Sequence, residues 1–251
     1  MSMLFSSISE KDKVTAIDDL IHDSSPRPSF FLLVILSTVM ATLGVIAQNG
    51  AVVIGSMLIA PILSPILSLS LGVVMSDSKL IRWSSLTLLK STICAIGFAA
   101  VFTWFFQNGY DTTINNTEIF SRTEPAIIFL IIAIVAGFAT AFARAKPNLN
   151  EALPGTAIAV ALVPPLAVTG IGIATLNYQI AAGAFQMYLL NLIGIVVATI
   201  VTFSLMNLYP KRNHASNAQD RESKSLARDK AKAEKLKEDE EKEKEKSNKK
   251  K

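Results

Sequence analysis

The sequence predicts an all-α fold: a polytopic integral membrane helical bundle of about six transmembrane segments. Three observations carry that reading. Phe30–Met75 contains no Asp, Glu, Lys or Arg, and Pro147–Tyr209 contains only Glu151. A helix crossing the hydrocarbon needs about 20 mostly apolar residues, so each block is long enough for two crossings. Charge is also segregated. Lys211–Lys251 holds 15 of the 24 Lys and Arg and 10 of the 20 Asp and Glu, which leaves the body with 9 basic and 10 acidic residues. A soluble domain would spread charge along its length. The basic balance belongs to the tail and does not mark a nucleic-acid-binding body.

The elements follow in order. Residues 1–28 form a polar leader, expected in the cytoplasm. Within it Ser9 and Asp12 resemble a helix-capping arrangement, and Val14, Ile17 and Ile21 share one face of a short helix. Pro26 and Pro28 stop that helix. It lies on the membrane surface or on the protein, or is only partly ordered. The leader lacks the short basic start and cleavage site of a signal peptide. The transmembrane domain spans 29–208, with segments at Ser29–Ala47, Ala51–Met75, Leu86–Phe106, Ala126–Ala143, Pro154–Thr175 and Ala184–Leu208. Gln48-Asn49-Gly50 is short enough to require a tight hairpin. Residues 209–251 are a Lys/Glu-rich tail that cannot bury a core, either disordered or an exposed helix held by i,i+4 pairs.

Basic residues near segment ends set the expected orientation. With the N-terminus inside, Lys11, Lys13, Arg27, Lys79, Arg82, Arg144, Lys146, Lys211 and Arg212 all face the cytoplasm, while the outer loops hold Arg122 alone. The expected location is the cell membrane, multi-pass, with both termini cytoplasmic. The outer loop Gln107–Pro125 carries Asn115-Asn116-Thr117, a sequon of a kind common by chance.

Two segments share a pattern. Gly55-Ser56 leads through an aliphatic run to Pro61, Ser64, Pro65 and Ser68, then Gly72. Gly155-Thr156 leads to Pro164, Pro165 and Thr169, then Gly170 and Gly172. Proline removes an amide donor and clashes with the preceding turn, so the second and fifth segments are expected to be Pro/Gly-broken near mid-membrane. Freed carbonyls in lipid need partners, for which Ser64, Ser68 and Thr169 are candidates. Three segments plus three, each with a broken middle member, read as two inverted repeats, because an odd number of crossings reverses direction. Paired broken helices of this kind point to a transporter site. Gly and Pro are also frequent in membrane helices for packing alone.

These residues carry a resemblance. Gly55-Ser-Met-Leu-Ile-Ala-Pro61 with Pro65, and Ile158-Ala-Val-Ala-Leu-Val-Pro-Pro-Leu-Ala-Val168, resemble the segments of a prokaryotic uncharacterised hydrophobic domain, domain of unknown function family 389. The resemblance covers roughly Ser29–Leu208. It implies a helical membrane domain of bacteria and archaea with no assigned activity and no transferable site residue. Some relatives have a larger soluble N-terminal region, whereas the leader here is short.

Chemistry narrows the function classes. His22 and His214 lie outside the membrane segments, Cys94 is a lone packing residue, and no phosphate-cradling loop, G-x-S-x-G or H-E-x-x-H is present. Enzyme, cofactor and metal are therefore not expected. No acidic residue sits at mid-membrane, which disfavours proton coupling. One reading is a transporter or channel for a small neutral solute, or for an anion held at helix N-termini. Its site would be lined by Ser56, Pro61, Ser64, Pro65, Ser68, Thr156, Pro164, Pro165 and Asn191. The alternative is a structural or interaction protein with a partner-recruiting tail. Small residues four apart (Ser91/Ala95/Ala99, Ala133/Gly137/Ala141, Gly194/Ala198/Thr202) allow close helix approach within the chain or in a homo-oligomer. The expected partners are the lipid bilayer and a small solute, with no nucleic acid.

Overall fold

A computed structural model describes residues 9–106, 117–146 and 162–248. The leader forms α1 (Glu10–Asp23), opened by Ser9, whose hydroxyl accepts from the Lys11 amide. Helix α2 (Pro28–Ile46) starts at Pro28, where a missing amide costs nothing. The second segment divides into α3 (Gly50–Ile59) and α4 (Leu63–Met75), bent by 50° at Ala60–Ile62. Then come α5 (Ser78–Phe106), the short α6 (Thr117–Phe120), α7 (Ile127–Ala145), α8 (Val163–Ala174) and α9 (Tyr178–Leu205). After a 3₁₀ turn, α10 (Arg212–Asn248) carries the tail as a helix.

Among the described residues, helices α2, α5, α7 and α9 are long and apolar enough to cross a membrane, and the bent α3–α4 pair has the length and composition of a fifth, broken span or of a re-entrant loop. The chain is thus a multi-pass helical membrane protein. Helix α8, with 12 described residues, is shorter than a full crossing. The rest of the predicted fifth segment, including Pro154, Gly155 and Thr156, lies outside the described residues, as does Asn115-Asn116.

Helix α5 begins eight residues before the expected Leu86, and α9 six before Ala184. Hydropathy marks where lipid begins, whereas the helix begins where an Asx side chain caps it. Asp77 Oδ1 accepts from the amides of Lys79 and Leu80, and Asn177 Oδ1 from that of Ile180.

Three apolar clusters stack along the bundle. At one end α1 buries Ile17, Leu20 and Ile21 against Leu71 and Met75 of α4, Leu80 of α5, Phe203 of α9 and Ala215 of α10. The middle joins Val34, Ile62, Ile66, Ala95, Ala133, Leu162, Leu166 and Tyr188. The far end joins Val45, Val53, Ile119, Ile171 and Ile180. The leader and the tail therefore dock on the same end.

Small residues set the closest approaches. A methyl on Gly137 of α7 would lie 2.9 Å from Ile195 Cα of α9, and one on Gly194 would lie 2.8 Å from Ala133 Cβ. Gly170 of α8 likewise abuts Ala99 of α5. The small-residue faces are thus covered by helices of the same chain. Exposed apolar side chains such as Leu32, Leu36, Ile128, Ile131 and Val135 point outward, as lipid-facing positions should.

The element bounds recur about one hundred residues apart. Helix α4 starts at Leu63 and α8 at Val163; α5 starts at Ser78 and α9 at Tyr178; α2 and α7 both run 19 residues, from Pro28 and from Ile127. The turns between them match bond for bond. Asp77 N donates to Gly72 O and Asn177 N to Gly172 O, with Ser76 and Leu176 in the left-handed region at φ 52° and 55°.

Candidate functional site

Both proline-bearing helices contribute to the middle cluster. Ile62 and Ile66 of the first and Leu162 and Leu166 of the second, again one hundred residues apart, lie in that one core. Pro65 and Pro165 are each the third residue of their helix. Pro164 and Pro165 open α8, which suits residues without an amide to donate, since the first turn has no acceptor for one; the part of this segment before Leu162 lies outside the described residues. Only Pro61, between α3 and α4, marks a bend within the described part of a segment.

The carbonyls at the end of α3 find a hydroxyl that the sequence did not single out. Ser37 Oγ of α2 donates to Ser56 O at 2.6 Å, in the last turn of α3, while Ser56 Oγ donates to Val53 O at 2.6 Å. Thr169 Oγ1 donates to Pro165 O at 2.7 Å, an ordinary i−4 back-bond within α8. Ser68 instead accepts from Ser84 Oγ at 2.9 Å, tying α4 to α5.

Of the nine candidate residues, Pro61 and Ser64 line a cavity of about 240 Å³. Its other walls are His22, Asp23, Ser25 and Arg27 from the leader turn, and Ser29, Phe30 and Leu33 from α2. The bend thus adjoins the apolar middle cluster on one side and opens toward the charged leader turn on the other. Ser56, Pro65, Ser68, Pro164, Pro165 and Asn191 are buried in packing, Asn191 on α9 one turn beyond Tyr188. Thr156 lies outside the described residues.

The leader turn is held from afar. Glu222 Oε1 on α10 accepts from Ser25 Oγ at 2.6 Å, from Arg27 Nε at 3.0 Å and from Arg27 Nη2 at 2.6 Å. Ser25 is buried, and Glu222 is mostly so. Asp23 accepts from Arg144 at the end of α7, and its other oxygen faces His22 Nδ1 at 3.3 Å. Lys211 pairs with Glu10 at 2.9 Å and His214 with Asp18 at 2.9 Å. Lys13 and Lys211 together hold the Glu10 carboxyl down at about 2, against an ordinary 4.5.

One sequence signal could have exposed this arrangement. Arg27 is the residue capping the start of α2, where the helix end is already partly positive. A cation there calls for a nearby carboxylate. Another pair missed by the sequence is Thr92 Oγ1 with Tyr188 OH, 2.8 Å apart and buried between α5 and α9.

Comparison with known proteins sets the chain among relatives. It is 33% identical over 181 residues to the uncharacterized protein MJ0678 of Methanocaldococcus jannaschii; the match covers 72% of this chain and 55% of that protein. The chain thus spans about half the length of that relative. No solved structure matches it. The family model described as a domain of unknown function, DUF389, matches residues 57–197, which include both proline-bearing segments. The chain belongs to the DUF389 family.

Proposed function

We propose that this protein is a transporter or channel for a small neutral or anionic solute, built from two inverted three-segment repeats. The observation that carries the reading is that Ile62 and Ile66 belong to the same core cluster as Leu162 and Leu166, although the turns that follow lie at opposite ends of the bundle. Leu71 and Leu80 pack at the leader end; Ile171 and Ile180, their counterparts one hundred residues on, pack at the far end. Matched helices starting at the bilayer middle and running in opposite directions are the arrangement in which transporters place a solute. The cavity at Pro61 and Ser64 is the entry. The cell membrane is the location, with the leader end cytoplasmic because Arg27, Lys79, Arg144 and Lys211 gather there.

Flux of the purified protein in liposomes over a panel of neutral and anionic solutes tests this. Pro61→Ala combined with Pro164→Ala should lower the flux of an accepted solute at least tenfold. No flux above empty vesicles for any solute, with folded protein confirmed by gel filtration, would remove the reading. The scaffold alternative draws support from α10, a 37-residue helix whose described side chains from Lys232 to Leu236 are exposed, beyond its docked start. Unchanged partner capture after truncation at Pro210 would count against it.

A further inference from the structure

The geometry points to an anion-binding mouth at the leader turn, already occupied by the protein's own Glu222. Glu222 would then act as an intramolecular competitor for an oxyanion such as a carboxylate or a phosphate. The inference rests on the transport reading only for its purpose, not for the binding itself.

Three donors converge on a single oxygen. Ser25 Oγ, Arg27 Nε and Arg27 Nη2 all reach Glu222 Oε1 within 3.0 Å, and Ser25 is only 1% exposed. Charge-assisted bonds from a guanidinium to an oxyanion are about twice as strong as neutral ones, and this donor set would serve any oxyanion that reached it. Ser25 and Arg27 also line the cavity that reaches Pro61 and Ser64, so withdrawal of Glu222 would open their donors to a space that a small ligand could fill.

Charge decides the class. With Glu222 in place, the mouth balances Arg27 and Arg144 against Glu222 and Asp23. Withdrawing Glu222 leaves two guanidinium groups facing one carboxylate, a net charge that suits one monoanion. Asp23 contacts Arg144 and His22 and makes no hydrogen bond to Arg27. Phe30, Leu33 and Pro61 give the cavity an apolar wall, suited to a short hydrocarbon chain on the anion. Its volume of about 240 Å³ falls below the usual range for drug-sized ligands, about 300–1,000 Å³. Because Glu222 sits on α10, ligand entry and tail docking would be mutually exclusive, and each would weaken the other by the same factor.

Equilibrium dialysis of the full chain in phosphatidylcholine nanodiscs, with radiolabelled inorganic phosphate and radiolabelled butyrate, tests this directly. Glu222→Ala should tighten binding of at least one probe tenfold or more. Adding Arg27→Gln should abolish that gain, and Arg27→Lys should keep part of it. Truncation after Pro210 frees the same donors by a second route and should reproduce the gain if Glu222→Ala fails to fold. Repeating the measurement in phosphatidylglycerol nanodiscs separates the sources: if a lipid headgroup is the ligand, the gain disappears there. Folded Glu222→Ala protein that binds neither probe in phosphatidylcholine, or a gain that survives the loss of Arg27, overturns the proposal. Tightened binding without flux keeps this site and removes the transport reading; flux without any Glu222-dependent binding does the reverse.

Discussion

The two ends of the bundle are built on one backbone design and finished with different chemistry. At the leader end the turn Gly72–Ser76–Asp77 packs against Ile81, and at the far end Gly172–Leu176–Asn177 packs against Ala181. Both use a close glycine, a left-handed residue and an Asx cap. Beyond the turn they part. The leader end joins elements distant in sequence through Arg27–Glu222, Arg144–Asp23, Lys79–Asp220 and Lys211–Glu10. At the far end Arg122 pairs with Glu118 four residues away, at 2.5 Å. The backbone of a turn is thus set locally, whereas charge settles which end receives the leader and the tail.

The largest test of this comparison is steric. A Cβ on Gly172 would abut the Ala181 amide and lie 2.8 Å from its Cα, both backbone atoms that cannot move aside. Gly172→Ala should destabilise by about 1–3 kcal/mol, as overpacking does. Gly72→Ala, whose nearest contacts with Ile81 are at 3.0 Å, should cost less. Thermal midpoints in detergent would rank them, and an equal or reversed order would break the idea that the far turn is the tighter.

Removing the caps should give a middling and nearly equal effect. Asp77→Ala and Asn177→Ala should each cost about 1 kcal/mol, the usual loss of an N-cap. Asp77→Asn should cost much less, since either side chain can accept the same amides. A large cost for Asp77→Asn would mean that its charge, and not only its cap, holds the leader end.

The left-handed residues offer a gain. Leu176 at φ 55° is 92% exposed, so its side chain offers little packing against the strain. Leu176→Gly should stabilise by about 1 kcal/mol, raising the thermal midpoint; a lower midpoint would show that the leucine has a partner in lipid worth more than the strain.

The smallest effect is electrostatic and confined to the leader end. The Glu10 carboxyl is depressed to about 2, so its contribution to docking is present in full above the ordinary value of 4.5 and is lost as pH falls toward 2. An NMR titration of the Glu10 carboxylate should follow that curve, and Lys211→Gln should move the midpoint upward. A midpoint already near 4.5 in the intact protein would show the leader and tail apart in solution.

Much of the candidate site was not legible in the sequence. Pro61 and Ser64 line a cavity, but Arg27, Ser25 and Asp23 complete it, and apart from the cation at the start of α2 nothing in the leader's local composition distinguishes them from surface polar residues. Ser37, which serves the carbonyl of Ser56, looks like any other hydroxyl in an apolar segment. Hydropathy places two segment starts at Leu86 and Ala184, past the polar residues that open the helices at Ser78 and Tyr178. The caps Asp77 and Asn177 carried the better signal.

By itself the sequence determined residence in a membrane, the long apolar helices and the bend at Pro61. Each depends on residues within one or two turns of one another, through hydropathy or a missing amide. Only the tertiary structure decided that Ile62 and Leu162 share a core, that Ser37 reaches Ser56, and that Glu222 lies on Arg27 across 195 residues of chain. Contacts of that separation are fixed by the path of the whole chain, and no local pattern of residues encodes that path.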